Sequence, residues 1–335
     1  MKLLFELSKI HPTLPQDEII SCFNAEEIPY HELYADDNVL VLDAPLTNLT
    51  LQRLAERLSL TYIIDEYLFT SSLEDDAIIR MAQQHPLQTP GTVAIRCKNR
   101  SADLPSDHLI DVLGDVYTNG RTVNLSHPQH EIRAVVTDNK VVVGVKKHEI
   151  NTSSYEQRKA QFRPFFSPIS LHPKIARALV NIAEVKKEGV LLDPFCGTGG
   201  FLIEAGLLGI TIKGSDIEQK MVDGCRTTLE HYHVNNYDLQ CCDIGKIPFT
   251  PGSIDAIVTD FPYGKSTTTK GEERSQLYER AFKQIARLLK KNGRAVIGFS
   301  DRNMIPVGEN YLTHTATYHF RVHRSLTRYF VVYRN

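Results

Sequence analysis

Tryptophan is absent from this chain of 335 residues, methionine occurs four times and cysteine six times. The cysteines, at positions 22, 97, 196, 225, 241 and 242, form no Cys-x-x-Cys pair and stand apart from any histidine group at zinc spacing. That excludes zinc fingers and ribbons; no metal site is expected, and the thiols read as reduced, as in a cytoplasmic protein. No run approaches the ~18 apolar residues that a membrane-spanning helix needs. The opening MKLLFELSKIHPTLPQDE turns polar and acidic too soon for a signal peptide. An excess of one charge is missing as well, with 38 Lys and Arg against 40 Asp and Glu. The balance hides a division: residues 1–90 carry five basic and fifteen acidic side chains, residues 91–335 the remaining 33 and 25. A basic majority behind an acidic head leaves a nucleic-acid partner open, beside the simpler reading of solvated charged faces.

What is present suits a soluble protein with a sizeable core: 42% of residues are hydrophobic and 23% charged. The length suggests about two or three domains. Residues 1–60 read as strand (KLLFEL), helix (PQDEIISCFN), strand (NVLVLDA) and helix (LTLQRLAERLS), a small α+β unit. Residues 61–150 add the strands TVAIRCK, IRAVVTD and KVVVGVKK, the last two joined by a hairpin turn at Thr137–Lys140. Residues 151–168, NTSSYEQRKAQFRPFFSP, have no apolar period and read as a linker. From 169 to 335 the pattern alternates. A helix at HPKIARALVNIAEV, with Pro173 in its first turn, precedes the strands GVLLD, TIKGSD, LQCCD, SIDAIVTD and RAVIGFS, with helices such as EQKMVDGCRTTLEHY and RSQLYERAFKQIARLLKK between them. Repeated βα units with apolar strands predict an α/β fold, a doubly wound and mostly parallel sheet covered on both faces. YLTHTATYHFRVHRS and LTRYFVVYRN predict an antiparallel pair at its edge.

The sharpest motif is VLLDPFCGTGG, residues 190–200. It ends a strand, makes a glycine turn and opens a helix, at the strand ends where open α/β sheets bind ligands. A dinucleotide site would read GxGxxG. Here the glycines fall as GTGG, Gly197 and Gly199 followed directly by Gly200, and Asp193 stands before them, an acid suited to the ammonium of S-adenosylmethionine, a cofactor without phosphate. The competing reading is a glycine turn that only packs helix on strand. Asp216 and Asp243 end the next two strands, placed for a ribose diol and an adenine amino group; taken singly, each could be a helix N-cap. Phe195, Ile217 and Ile244 complete the candidate cofactor set. The fourth strand ends in TDFPYG, residues 259–264. An exocyclic amine is a poor nucleophile because its lone pair is delocalised. Asp260 can accept one of its N–H groups, a carbonyl at Phe261 or Pro262 the other, and Tyr263 can stack on the base. A loop that merely terminates a strand is the alternative.

DPFCGTGG, RPFFSPISLHPKIARALVNIA and TDFPYG together resemble the tRNA guanosine N2-methyltransferases, most closely the archaeal enzymes acting on guanosine 10. VNLSHPQHEIRAVVTDNKVVVGVKK resembles the end of a THUMP domain, a module of tRNA-modifying enzymes that recognises the acceptor end. The resemblance implies a Rossmann-like methyltransferase domain at 169–335, a THUMP domain at 61–150 and a ferredoxin-like domain at 1–60. It implies S-adenosylmethionine as cofactor and tRNA as partner, with no DNA or membrane expected. Asp193, Gly197 and Gly199 would shape the cofactor site, with Asp216 and Asp243 on ribose and adenine. Asp260, Pro262 and Tyr263 match the family's D-P-P-Y-G motif, and Asp260 would lie between cofactor and base. Phe261 departs from the pattern by replacing its first proline. Activity is expected to survive. If the family's proline only stiffens the loop, Phe261→Pro should be tolerated; if instead the Phe ring packs against the flipped guanine or a THUMP-side surface, that substitution should raise the Michaelis constant for tRNA. Adenine N6 or glutamine N5 methylation, and a tRNA-binding protein with a degenerate loop, are the rivals. Arg163, Phe165 and Phe166 read either as linker packing or as a cofactor lid; Arg321, His323, Arg324 and Arg328 as a solvated strand face or part of the tRNA path. His172 and His323 read as structural, and Cys196 as packing rather than a nucleophile.

Overall fold

The computed structural model describes residues 1–100, 105–166, 171–262, 273–323 and 326–335. Met1–Gln16, Ile28–Glu56 and Leu60–Ile150 make up one unit; Asp17–Glu27, Arg57–Ser59 and Asn151–Asn335 make up the other.

In the first unit the apolar, β-branched runs of the N-terminal half become seven strands: β1 (Lys2–Leu7), β2 (His31–Ala35), β3 (Val39–Asp43), β4 (Thr61–Ser71), β5 (Val93–Asn99), β6 (His130–Val136) and β7 (Val141–Glu149). Their order is β2-β3-β1-β4-β7-β6-β5, with β5 and β6 parallel and the other pairs antiparallel. β1 is the join: Phe5 faces Leu40 on β3 and Ile64 on β4. The segments that the sequence reading divides at residue 60 therefore share one sheet. The Thr137–Lys140 turn forms as expected, Thr137 N–H donating to the Lys140 carbonyl at 2.9 Å. The helices of this half are α1 (Leu14–Ala25), α2 (Asn48–Arg57), α3 (Asp75–Gln84) and α4 (Ser106–Tyr117). The sequence reading assigned only strands to 61–150. α3 and α4 bury Ile78, Ala82, Leu109 and Leu113 against Phe69, Ile132 and Val143, which a strand-only reading would leave uncovered. Across the sheet, Arg133 pairs with Glu6 and, at 2.8 Å, with Asp65, whose carboxyl burial pushes up to about 6.

The second unit holds α5 (Ser153–Gln157), α6 (Pro173–Ile182), β8 (Val190–Asp193), α7 (Gly200–Gly206), β9 (Thr211–Asp216), α8 (Gln219–His231), β10 (Tyr237–Cys241), β11 (Ile254–Asp260), α9 (Arg274–Leu288), β12 (Leu289–Phe299), α10 (Ile305–Glu309), β13 (Thr313–His323) and β14 (Leu326–Arg334). The sheet order is β10-β9-β8-β11-β12-β14-β13. The first five strands are parallel, and β14 and β13 add antiparallel at one edge. Both faces of the central strands β8 and β11 are covered, which is why they are continuous apolar runs, whereas β10 at the edge stays partly open. α9 stops three residues short of the expected end, because Leu289 already pairs with Ile254 of β11. Asp17–Glu27, given to the N-terminal segment by the sequence reading, packs here. Glu18 Oε1 accepts from Ser59 N–H (3.0 Å), Ser59 hydroxyl (2.6 Å) and Asn181 Nδ2 (2.8 Å), and Tyr318 hydroxyl donates to Asp17 at 3.0 Å. Strand order reverses between β8 and β11, so their carboxyl ends flank the crevice where doubly wound sheets take ligands. No helix among the described residues is long and apolar enough to cross a membrane.

Candidate active site

The glycine turn after β8 is held by its own backbone. Gly197 and Gly199 adopt φ of +48° and +83°, a region costly for other residues. A Cβ on Gly199 would also lie 2.7 Å from the Cys225 sulfur. Four amides of the turn are already committed. Phe195 N–H donates to Asp193 Oδ1 (3.2 Å), Cys196 N–H to the Ser215 carbonyl (2.9 Å), Gly197 N–H to Asp216 Oδ2 (3.0 Å) and Gly199 N–H to the Cys196 carbonyl (2.8 Å). A pyrophosphate cradle needs such amides pointing at the ligand. This turn points two of them at its own acids, and the acids would repel phosphate. That supports the sequence reading against a dinucleotide.

Asp193 is 2% exposed, and Thr259 Oγ1 donates to its Oδ1 at 2.6 Å, linking β8 to β11 across the switch point. Burial pushes its carboxyl up to about 7; the bonds from Thr259 and Phe195 pull the other way, and the charges of Asp216 and Asp260 add to the rise. Asp216, which also accepts from Glu218 N–H at 3.0 Å, is raised by burial too. Neither acid has a cationic partner among the described residues. Two adjoining acids that resist ionisation make a site that gains by receiving a cation.

Asp243 differs from the expectation of a free adenine acceptor. Arg280 grips it through both terminal nitrogens (2.6 and 3.2 Å), Gly245 N–H donates to it at 2.9 Å, and the Arg280 bond leads in holding its carboxyl below the usual range. Ile244 is core, 4% exposed, and has little surface left for a ring; Ile217 is half-buried. Nothing local marks Arg280, a helix residue of α9, as the partner of an acid after β10.

At the end of β11, Asp260 lies opposite Gly298 of β12, and Phe261 N–H donates to the Gly298 carbonyl at 3.0 Å. The expectation for Phe261 is overturned. Its side chain is fully buried, packed among Tyr278, Phe195, Phe282 and Phe299 at centroid distances of 4.7, 5.3, 5.3 and 5.4 Å. It meets neither a base nor an outer surface, because an apolar ring at this point is worth more in the core than at the mouth. The Pro262 carbonyl accepts from the Tyr278 hydroxyl at 3.2 Å, one of its two acceptor positions. Tyr263 lies outside the described residues, as does Arg324.

Arg328 is corrected as well. It is 6% exposed, not solvated, and its Nη2 lies 3.5 Å from Asp260 Oδ2. Arg321, on the other strand of the hairpin, is exposed; nothing is described of the His323 side chain. Arg163 is buried, its Nε donates to the Arg158 carbonyl at 2.9 Å, and its terminal nitrogens are enclosed. Phe165 covers Gly224, and Phe166 is exposed. His172 is structural, accepting from Lys174 N–H at 3.2 Å as the cap of α6 and meeting Glu156 at 3.1 Å. Cys196 is buried against Cys225, which with burial pushes its thiol up, the wrong direction for a nucleophile.

Residues 160–329 match the family described as RMKL-like, methyltransferase domain. A tRNA (guanine(10)-N2)-dimethyltransferase from Methanothermobacter thermautotrophicus is 32% identical, over 98% of this chain and 98% of its own. A protein of the same name from Pyrococcus abyssi is 41% identical over 65% of this chain and 66% of its own. Among solved structures, TrmN from Thermus thermophilus aligns over 100% of both chains with a TM-score of 0.57 and 19% identity, a likeness of fold.

Proposed function

The chain belongs to the RMKL-like methyltransferases and, within them, to the family of the tRNA (guanine(10)-N2)-dimethyltransferases, and from that premise we propose that it methylates the exocyclic amine of a guanosine in tRNA, most directly guanosine 10, with S-adenosylmethionine as donor. The observation that carries this reading is the pairing of Asp193 and Asp260 at adjacent strand ends, joined through Thr259: a buried acid suited to a cation beside an acid suited to an amine.

The residues present fit the cofactor. Asp193 would receive its ammonium, Asp216 keeps acceptor capacity for the ribose diol, and Phe195, Gly197, Gly199 and Ile217 border that path. Asp243 keeps part of its acceptor capacity beside Arg280 for the adenine amine. When bound, S-adenosylmethionine supplies a methyl group that already carries its sulfide leaving group. Asp260 accepts one N–H of the guanine amine, and the free acceptor position of the Pro262 carbonyl or that of Phe261 the other, which turns the nitrogen lone pair out of conjugation. Tyr263 is assigned the stacking role by its place in the motif. The amine proton made surplus by methylation would pass to Asp260 or to water.

In this reading the N-terminal unit, Met1–Gln16, Ile28–Glu56 and Leu60–Ile150, holds the THUMP-like and ferredoxin-like parts in one sheet and reads the acceptor end of tRNA, and the protein works in the cytoplasm. The test is incubation of the full chain with methyl-labelled S-adenosylmethionine and a tRNA transcript carrying guanosine 10. Label is expected in N2-methylated guanosine and is lost when guanosine 10 is replaced. Tight tRNA binding without label would favour the degenerate-loop reading.

A further inference from the structure

Asp260 is held from two sides by residues to which no role has been attached. On one side is Gly298. A Cβ there would lie 2.3 Å from Asp260 Oδ1 and 3.0 Å from the Phe330 ring, so the place a side chain would occupy is already filled by the carboxylate and the core. Oδ1 is accordingly enclosed, in a side chain that stays 22% open, and Oδ2 is the oxygen on the other side. On that side is Arg328, whose Nη2 is 3.5 Å from Oδ2 although the residue is nearly buried. The register explains how it gets there. β14 pairs Phe330 with Gly298 and Tyr329 with Phe299, so Arg328 is the next residue toward the carboxyl end of β12, where the crevice opens.

The charges around Asp260 make the arginine informative. Asp260 and Asp216 both put negative charge on Asp193 of β8, and Asp260 and Asp301, which follows β12, both put it on Tyr278, so these acids share one neighbourhood. From α9 come Arg274 and Tyr278, whose hydroxyl burial pushes up to about 12 and keeps neutral. A carboxyl set among acids tends toward its protonated form, which is a weaker acceptor for the N–H of an amine and turns one oxygen into a donor. A guanidinium in contact favours the carboxylate.

We propose that Gly298 and Arg328 are positioning residues for Asp260: Gly298 seats Oδ1, and Arg328 keeps the group a carboxylate with Oδ2 presented to the target amine. This rests on the role proposed for Asp260. It separates the two acids at the switch point by task, with Asp193 left to be ionised by its ligand and Asp260 ionised by the protein itself.

The experiment measures kcat against pH for the full chain at saturating S-adenosylmethionine and tRNA, with cofactor affinity by calorimetry in parallel. Arg328→Met should move the acid limb of kcat up by about one pH unit or more, a loss of about tenfold on the limb that recovers on the alkaline side. Arg328→Lys should keep the limb near its wild-type position while lowering the plateau, because it retains charge without the fork. Gly298→Ala should lower kcat at every pH without moving the limb. Cofactor affinity should stay within about threefold in all three. Should Arg328→Met fail to fold, Arg328→Lys and Gly298→Ala carry the test, and wild-type kcat in both overturns the proposal. It is also overturned if Arg328→Met lowers kcat equally at all pH values, or if cofactor affinity falls in step. A wild-type protein that transfers no methyl to tRNA would instead refute the reading of function.

Discussion

Replacing Phe261 by the proline that the related motif carries should unfold more than it repairs. The backbone is no obstacle, since Asp260 is already in a strand and tolerates a following proline. The loss is in the ring and in the N–H. The ring is fully buried against four aromatic neighbours. Truncating a buried Phe to Ala costs about 3–5 kcal/mol, and proline restores only part of that volume. The bond from Phe261 N–H to the Gly298 carbonyl also disappears, a further ~1 kcal/mol with a carbonyl left short of a partner. A total near 4 kcal/mol corresponds to a fall in Tm of about 8–16 °C for a domain of this size. Phe261→Leu, which keeps an apolar side chain of similar size, should cost about 1–2 kcal/mol. Thermal melts followed by circular dichroism, with urea titration as a second measure, decide it. A Phe261→Pro protein melting within about 2 °C of wild type would refute the assignment of this ring to the core.

Cofactor affinity should rise with pH up to about 7 and then level off. Asp193 moves from an ordinary 3.8 to about 7 on folding, so the folded, ligand-free protein takes up a proton between those values. Its stability falls as pH rises through that window, and an ammonium ligand recovers the loss by favouring the carboxylate. At pH 6 calorimetry should give roughly tenfold weaker binding than at pH 8, with proton release, and Asp193→Asn should flatten the profile; equal affinity at both pH values in the wild type would refute the role of Asp193. Asp260→Ala should lower turnover by orders of magnitude with cofactor affinity nearly unchanged, whereas Asp216→Ala should mainly weaken the cofactor; parallel losses in both would show the two sites to be misassigned. Deleting residues 1–150 should destabilise the remainder as well as abolish tRNA methylation, because it removes Glu18 and Ser59 from the buried network with Asn181. A truncated protein with an unchanged melting temperature and normal tRNA methylation would contradict both the packing of Asp17–Glu27 and the tRNA-reading role.

The candidate site was legible where function is written along the chain. A strand that ends in an acid and runs into a glycine turn puts Asp193, Gly197 and Gly199 together by chain connectivity alone, and alternating apolar strands and amphipathic helices imply the parallel sheet whose ends carry Asp216 and Asp260. The decisive neighbours come from elsewhere. Arg328 reaches Asp260 only because β14 inserts beside β12, and a basic residue in an edge hairpin looks the same in sequence whether it faces water or a buried carboxylate. Gly298 is one small residue in an apolar strand until the register sets it opposite Asp260. Arg280 meets Asp243 across the fold in the same way. Phe261 showed the limit most directly: its position in the motif marked it as special, but which way a ring turns depends on whether the core has room for it. Local chemistry along a chain orders the groups at strand ends; strand order and packing decide which charges face one another, because those contacts join residues that sequence proximity does not relate.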